Sequence, residues 1–195
     1  MLVLPKCVLS KSEAIREAAP RGTSFGAPTV INSDPGSAPE FQAEAGIDFY
    51  GSPHNETSTG VAIKPTRVVG ADADALMAFD ATSGAGGLLV DPSEFDVYYF
   101  APQKCFGSDG GLWFALMSPK AIERAAEVSA TGRHIPTFLD LSTAIENSRA
   151  DQTYNTPALA TIFMMAEQVD WFNANGGLSW CDQRTKESSA HLYTW

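Results

Sequence analysis

The chain has 195 residues, which suffices for one domain with at most a short appendage, because about 150 residues per domain is usual. Its 44% apolar and 18% charged residues are typical of a globular protein, and 16 glycines with 12 prolines are too few for a collagenous or low-complexity chain. The formal net charge of −10 repels phosphate backbones and argues against nucleic acid as a partner.

The number and spacing of the cysteines and the hydropathy of the chain indicate the cellular compartment of the protein. Cys7, Cys105 and Cys181 are odd in number and far apart, so neither a disulfide framework nor a zinc cluster can be written with them. No stretch approaches the run of about 18 apolar residues that a membrane span needs, and the apolar opening is too short for a signal peptide. We therefore expect a soluble cytoplasmic protein with no membrane partner.

In chain order, residues 1–26 are predicted to be a poorly specified N-terminal segment with one short helix over residues 12–19. From residue 27 onward, short apolar runs predict five β-strands, at residues 28–31, 47–50, 76–79, 97–100 and 112–117. These runs are nearly continuous rather than alternating, which is typical of strands covered on both faces. The sequence therefore predicts a layered α/β fold, with the polar residues 51–60 on a loop.

Helices are predicted after the fifth strand. Ser118 followed by Pro119 is a favoured helix start and predicts a helix that runs to about Ala130. Thr156 followed by Pro157 repeats this pattern and predicts a second helix start.

The second of these helices is expected to end at residues 176–177 and to carry one apolar face, made of Leu159, Ile162, Phe163, Ala166 and Val169. Met164 and Met165 on the same helix are expected to pack in the core. A last helix from about Leu178 shows no stop signal before Trp195, so we expect a chain that is cut rather than finished.

Polar residues that end the apolar runs are the candidate site residues, because ligands of open α/β sheets bind at the carboxyl ends of strands. They are Thr57 after the second strand, Asp80 after the third and Lys104 after the fourth. An acid and a lysine in one crevice could be an ion pair, a phosphate site, or a Schiff-base lysine beside a carboxylate that keeps a pyridine nitrogen protonated. Spacing alone leaves these open, together with a solvated lysine and an aspartate that only caps a turn.

Other common site motifs are absent from the sequence. Residues 84–87 (GAGG) are not followed by the Gly-Lys-Ser or Gly-Lys-Thr of a phosphate-binding loop. His54, His134 and His191 have no metal-site spacing, and no Gly-x-Ser-x-Gly motif of a hydrolase occurs. We expect no metal site.

Five longer motifs are more specific than any single residue, and they occur in this order: residues 54–61 (HNETSTGV), 79–84 (FDATSG), 99–104 (YFAPQK), 108–112 (SDGGL) and 152–157 (QTYNTP). Their order and spacing resemble the phosphoserine aminotransferase family, most closely its actinobacterial branch. The resemblance runs from about Pro28 to the end of the chain.

This resemblance implies the three-layer α/β/α large domain of the fold type I transferases that use pyridoxal 5'-phosphate (PLP), with a mostly parallel sheet. It implies class V transamination in serine biosynthesis, in which L-glutamate and 3-phosphohydroxypyruvate give O-phospho-L-serine and 2-oxoglutarate. The same resemblance implies a homodimer, because one subunit of the family contacts the cofactor of the other.

Individual residues match the family's motifs. Lys104 resembles the lysine that is covalently joined to PLP and then moves the substrate proton, and Asp80 resembles the carboxylate that faces the pyridine nitrogen. Thr57 is similar to the threonine near the phenolic oxygen of the cofactor, and Gln103 to the glutamine beside its phosphate. Asn155 with Thr156 matches the pair that reaches the phosphate of the neighbouring subunit's cofactor.

The sequence departs from the family in two ways. Cys105 stands where the family commonly has asparagine after the lysine. The family's glycine-rich N-terminal segment and its C-terminal small domain are not recognised, so residues 27–195 are expected to be a partial, incomplete large domain that is weakly active or inactive alone. The alternatives are another fold type I enzyme, such as an alanine–glyoxylate aminotransferase or a cysteine desulfurase, or a non-catalytic remnant.

Overall fold

The structure, a computed structural model, describes residues 7–10, through their backbone, and residues 28–195. Within these ranges the strands are β1 Cys7–Ser10, β2 Thr29–Ile31, β3 Phe49–Pro53, β4 Asn55–Glu56, β5 Val61–Ala62, β6 Leu76–Asp80, β7 Val97–Phe100 and β8 Phe114–Met117. The α-helices are α1 Pro119–Ala130, α2 Leu141–Arg149, α3 Leu159–Ala174 and α4 Gly177–Thr194.

The main sheet has the strand order β2-β1-β3-β6-β7-β8. All its neighbouring strands are parallel except β7 and β8, which are antiparallel, and β4 with β5 forms a separate antiparallel hairpin. The expected α/β fold with a mostly parallel sheet is therefore confirmed.

Alternate residues of the central strands form the core on one face of the sheet. Tyr50 of β3, Phe79 of β6 and Tyr98 of β7 belong to one buried apolar cluster. On the opposite face, Leu76 and Ala78 are buried as well. Burial on both faces explains why these runs are continuously apolar in the sequence.

Helix α1 begins as its sequence predicts. The hydroxyl of Ser118 accepts a hydrogen bond from the backbone N–H of Ala121 at 3.1 Å, and Pro119 occupies the first helical position. The helix ends at Ala130, which confirms the predicted bounds.

A buried carboxylate, Asp96, connects this helix to the sheet. It lies between the 3-10 turn Pro92–Glu94 and β7, and it is 1% exposed. Its oxygens accept hydrogen bonds from the guanidinium of Arg67, the backbone N–H of Met77 and the hydroxyl of Ser118, at 2.8 to 3.2 Å. Burial opposes ionisation, but these donors outweigh it and lower the pKa of Asp96 to about 2.

The predicted start of the second helix is wrong. Helix α3 begins at Leu159, after an extended Ala158 that supplies no side-chain cap, so Thr156 does not cap it. The expected apolar face is also largely exposed, with Leu159 at 72% and Phe163 at 65%. Met165 packs on the core as expected, whereas Met164 is 39% exposed.

Several elements differ from the sequence-based expectation. The predicted loop over residues 51–60 contains the end of β3 and most of the β4–β5 hairpin, and β1 and α2 were not predicted. Helix α2 does carry a local signal, because the carboxylate of Asp140 accepts from the backbone N–H of Ser142 at its start. The helix predicted over residues 12–19 lies outside the described residues.

Candidate active site

The carboxyl ends of three parallel strands meet at one edge of the sheet. Pro53, the last residue of β3, pairs with Asp80, the last residue of β6, and Asp80 pairs with Tyr99 of β7. The segments that follow these strands carry Thr57, Ser83 and Lys104. The topology therefore brings Thr57, Asp80 and Lys104, which are three of the site residues predicted from the sequence, to this edge.

Asp80 is partly buried and is fixed by its backbone and its side chain. Its carbonyl oxygen accepts from the backbone N–H of His54 at 2.7 Å, and its carboxylate accepts from the backbone N–H of Thr82 at 3.0 Å. Burial and the neighbouring Asp80 carboxylate together raise the pKa of the Tyr99 phenol, which keeps that phenol neutral.

Lys104 is exposed and lies on a turn anchored by its neighbours. Its carbonyl accepts from the backbone N–H of Gly107 at 2.9 Å, and Phe106 stacks on Phe100 with ring centroids 5.2 Å apart. The thiol of Cys105 lies 3.8 Å from the carbonyl of Ser83, and burial raises its pKa despite the positive charge of Lys104. Among the described residues, the ammonium of Lys104 has no ion-pair partner within 4.0 Å.

Thr57 is exposed at the tip of the β4–β5 hairpin and is tied to the segment after β6. Its hydroxyl lies 3.0 Å from the hydroxyl of Ser83. The side-chain amide nitrogen of Asn55 and its backbone carbonyl oxygen each lie 3.0 Å from the same Ser83 hydroxyl. Ser83 therefore joins the hairpin to the loop that begins at Asp80.

A buried histidine lies beneath this connection. His54 is 1% exposed, and its Nδ1 is 2.9 Å from the hydroxyl of Tyr98. Burial lowers the pKa of His54 to about 4, against an opposing effect of Asp182, so the ring is neutral at physiological pH. The ring also packs against Gly84, where an added Cβ would lie 2.9 Å from Nδ1.

Helix α4 packs on the loop after β6. The carboxylate of Asp182 accepts from the backbone N–H of Leu89 at 3.0 Å, and the hydroxyl of Thr185 donates to the carbonyl of Gly87 at 2.6 Å. An added Cβ at Gly87 would lie 2.7 Å from the thiol of Cys105, so this glycine permits close approach of the Lys104 turn.

The remaining predicted site residues are not joined to this group. Gln103, Asn155 and Thr156 are exposed, and the last two lie on the loop before α3. In the part of the chain that the structure describes, no side-chain hydrogen bond links them to Asp80 or Lys104.

A cavity of about 270 Å³ lies beside the hairpin and contains none of the predicted site residues. It is lined by the loop of residues 33–39 and by Ser52, Glu56 and Thr59, among others. This cavity is therefore separate from the edge at which Asp80 and Lys104 lie.

The donor set at the edge fits a pyridoxal-type cofactor. An exposed amine can bond an aldehyde. An acid at a strand end can pair with a pyridine nitrogen, and a hydroxyl can contact a phenolic oxygen. In the described residues no group of three or more His, Cys, Asp or Glu side chains that could hold a metal ion occurs.

Three residues of this arrangement carry no signal in the sequence that marks them as site residues. Ser83, His54 and Tyr99 lie inside the quoted motifs, but nothing in the local pattern distinguishes them. Their contacts depend on how β3, β6 and β7 pair, so only the register of the sheet reveals them.

Within the described residues, no helix combines the length and apolar character that crossing a bilayer requires.

Comparison with curated proteins finds relatives that are longer than this chain. A phosphoserine aminotransferase of Nocardioides sp. (strain ATCC BAA-499 / JS614) is 60% identical over 185 residues, which are 94% of this chain and 50% of that protein. One from Rhodococcus jostii (strain RHA1) is 55% identical over 184 residues, which are 94% of this chain and 49% of that protein. The chain thus spans about half the length of the curated relatives it matches.

Comparison with solved structures supports the fold. A phosphoserine aminotransferase from Cytophaga hutchinsonii has a TM-score of 0.81 at 22% identity, over 98% of this chain and 55% of that one. A PLP-bound phosphoserine aminotransferase from Trichomonas vaginalis has a TM-score of 0.74 at 17% identity, over 97% and 55%. An alanine–glyoxylate aminotransferase from Nostoc sp. has a TM-score of 0.73 at 19% identity, over 98% and 54%.

The comparison with protein families decides the family of this chain, because one family model matches most of it. The model for class-V aminotransferases matches residues 51–194, which include both Asp80 and Lys104. This chain belongs to the class-V aminotransferase family.

Proposed function

We propose that this chain is most of the cofactor-binding large domain of a phosphoserine transaminase. The complete enzyme would convert 3-phosphohydroxypyruvate and L-glutamate into O-phospho-L-serine and 2-oxoglutarate, in the cytoplasm, for serine biosynthesis. The observation that carries the proposal is that relatives named phosphoserine aminotransferase are 55% and 60% identical over 94% of the chain. The solved alanine–glyoxylate aminotransferase is 19% identical, within the 17 to 22% of the solved phosphoserine aminotransferases, so the preference for the phosphoserine branch rests on the curated relatives.

The cofactor of this proposal is PLP, which would supply an electron sink for the carbanion that transamination generates. Asp80 would pair with the pyridine nitrogen and hold its proton, and Thr57 and Gln103 would contact the phenolic oxygen and the phosphate. These proposed roles are supported by the sheet, in which the carboxyl ends of β3, β6 and β7 meet at one edge.

Lys104 would be the amine that holds the cofactor at its aldehyde carbon, where the aldehyde oxygen would leave as water. Once the substrate amine had taken its place, the freed Nζ would carry the proton from the substrate α-carbon. Both steps need a neutral amine, which desolvation favours because it disfavours the ammonium form. Lys104 is exposed in this chain. In a full-length protein, the part that corresponds to the remaining half of the relatives would therefore have to cover Lys104. We expect this chain alone to bind PLP weakly and to turn over little.

A second subunit is part of the proposal. Asn155 and Thr156 would reach the cofactor phosphate of the other subunit of a homodimer. Two features support this: both residues are exposed on a loop, and the helix that follows exposes Leu159 and Phe163. An exposed apolar face of this kind is typical of a surface that another protein segment covers.

The test of cofactor binding is a PLP titration of the purified chain, followed by the visible absorption that PLP acquires when a lysine bonds to its aldehyde. We expect this absorption in the wild type and in Lys64→Ala, which replaces an exposed lysine on the segment after β5, and its loss in Lys104→Ala. Retention of the absorption in Lys104→Ala would refute the assignment of the lysine.

The branch of the family needs a separate test. In a full-length protein that contains this chain, we expect transamination from L-glutamate to 3-phosphohydroxypyruvate and no comparable activity with alanine and glyoxylate or with cysteine. Preference for either of the latter would favour the alternative enzymes. PLP binding to neither the chain nor the full-length protein would favour a non-catalytic remnant.

A further inference from the structure

Asp80 and Tyr99 are neighbours across the parallel strand pair β6 and β7. The register of the sheet pairs the two residues, and the backbone N–H of Ala81 donates to the carbonyl of Tyr99 at 2.8 Å. Phe79 and Tyr98, which precede them on the two strands, belong to the buried apolar cluster on the core face. Because side chains alternate along a strand, Asp80 and Tyr99 project together from the opposite face.

The phenol of Tyr99 interacts directly with the carboxylate of Asp80. Burial, the negative charge of Asp80 and a hydrogen bond between the two side chains raise the pKa of the Tyr99 phenol. The phenol therefore keeps its proton at neutral pH. An ionised carboxylate can only accept hydrogen bonds, so Tyr99 is the donor of this bond.

A second donor holds the same carboxylate. Its Oδ1 accepts from the backbone N–H of Thr82 at 3.0 Å. The strand that carries Tyr99 is itself fixed on both sides, because Tyr99 pairs with Asp80 of β6 and with Ala115 of β8. A carboxylate has about four lone-pair positions on its two oxygens, so the two donors leave room for the N–H of a ligand ring.

We propose that Tyr99 is a positioning residue that holds the Asp80 carboxylate in the orientation that receives the pyridine nitrogen of the cofactor. This inference rests on the proposed function, in which Asp80 pairs with that nitrogen. The phenol acts through the carboxylate and not by its own contact with the cofactor. Its contribution to binding therefore disappears when the ligand ring has no nitrogen in this position.

The adjacent residue Tyr98 offers a matched control. It carries the same phenol on the same strand, but on the core face, where its hydroxyl lies 2.9 Å from Nδ1 of His54. Burial raises the pKa of both phenols. Tyr98→Phe therefore removes a buried hydroxyl without removing a donor to Asp80.

The experiment measures the dissociation constants of two compounds by the absorption that each acquires when a lysine bonds to its aldehyde. One is PLP, and the other is 1-deaza-PLP, in which a C–H group replaces the pyridine nitrogen. Tyr99→Phe should weaken PLP binding about three- to tenfold, the effect of one hydrogen bond, and should leave binding of the analogue within about twofold of the wild type. Tyr98→Phe should change the binding of both compounds alike.

A double variant checks that Tyr99 acts through Asp80. In the Asp80→Ala background, Tyr99→Phe should cause no further loss of PLP affinity, because the phenol then has no carboxylate to hold. A further loss in the double variant would overturn the proposal. Tyr99→Leu also lacks the phenol, so the same comparison of the two compounds decides the question if Tyr99→Phe does not fold.

The outcomes separate this inference from the proposed function. Equal losses of affinity for PLP and for 1-deaza-PLP in Tyr99→Phe would show a general structural effect and would overturn the inference. PLP affinity that stays at the wild-type value in Tyr99→Phe would overturn it too, while the proposed function would stand. If the wild type acquires no absorption with PLP, the proposed function fails and this inference fails with it.

Discussion

Replacing Asp96 by asparagine should destabilise the chain through the hydrogen-bond network that joins β6, β7 and α1. Asparagine keeps the volume but turns one carboxylate oxygen into an NH₂ group. That group would face at least one donor from Arg67, Met77 or Ser118, and the Met77 N–H is itself buried. The change also removes the negative charge that pairs with Arg67 at 2.8 Å.

Two estimates of the cost of Asp96→Asn agree. Breaking a buried ion pair costs about 3–5 kcal/mol, and the value should fall toward about 2–3 kcal/mol because Arg67 is 39% exposed and partly screened. Lowering the pKa of Asp96 from 3.8 to about 2 corresponds to roughly 2.5 kcal/mol of folding free energy. We therefore expect a loss of about 2–3 kcal/mol at neutral pH.

The assay is urea denaturation followed by tryptophan fluorescence, with Glu123→Gln on the exposed side of α1 as the control. Because the folded pKa is depressed, the stabilisation by Asp96 is complete above its unfolded pKa near 3.8 and is lost as the pH falls through about 2. The gap between wild type and Asp96→Asn should close over that range. A loss below about 0.5 kcal/mol at pH 7, or a gap that does not narrow with acid, would refute this reasoning.

Further substitutions test the local geometry. Ser118→Ala removes a helix cap and a donor to Asp96 and should lower the free energy of unfolding by about 2 kcal/mol, with less than additive loss when combined with Asp96→Asn. Gly87→Ala places a methyl group 2.7 Å from the thiol of Cys105 and should cost about 1–3 kcal/mol in thermal or urea denaturation. Cys105→Ala should recover most of that loss, because the Cβ of Cys105 would lie 3.5 Å away; no recovery would mean that the clash has another origin.

The elements that the sequence predicts well are those with a local cause. The strands that end at Asp80 and Phe100 are buried on both faces, so their apolar runs are continuous and easy to recognise. Ser118 caps α1 because the required hydrogen bond spans only three residues. Thr156 offers the same local signal, but the chain stays extended through Ala158, so the helix begins later.

Most of the candidate site depends on contacts that are distant in sequence. The placement of Asp80 and Lys104 at one edge follows from apolar runs and from the rule for parallel sheets. The bond between Thr57 and Ser83 joins residues 26 positions apart, and no periodicity reports it. The exposed Phe163 shows the same limit, because an apolar helix face does not reveal whether this chain or another segment covers it.

The most direct test of the account is chemical trapping of the cofactor on its lysine. The chain is incubated with PLP, reduced with borohydride and digested, and the labelled peptide is identified by mass spectrometry. The account predicts that the label lies on Lys104, and that Asp80→Ala weakens labelling without moving it to another residue. A label found mainly on Lys64, Lys120 or Lys186 would contradict the account.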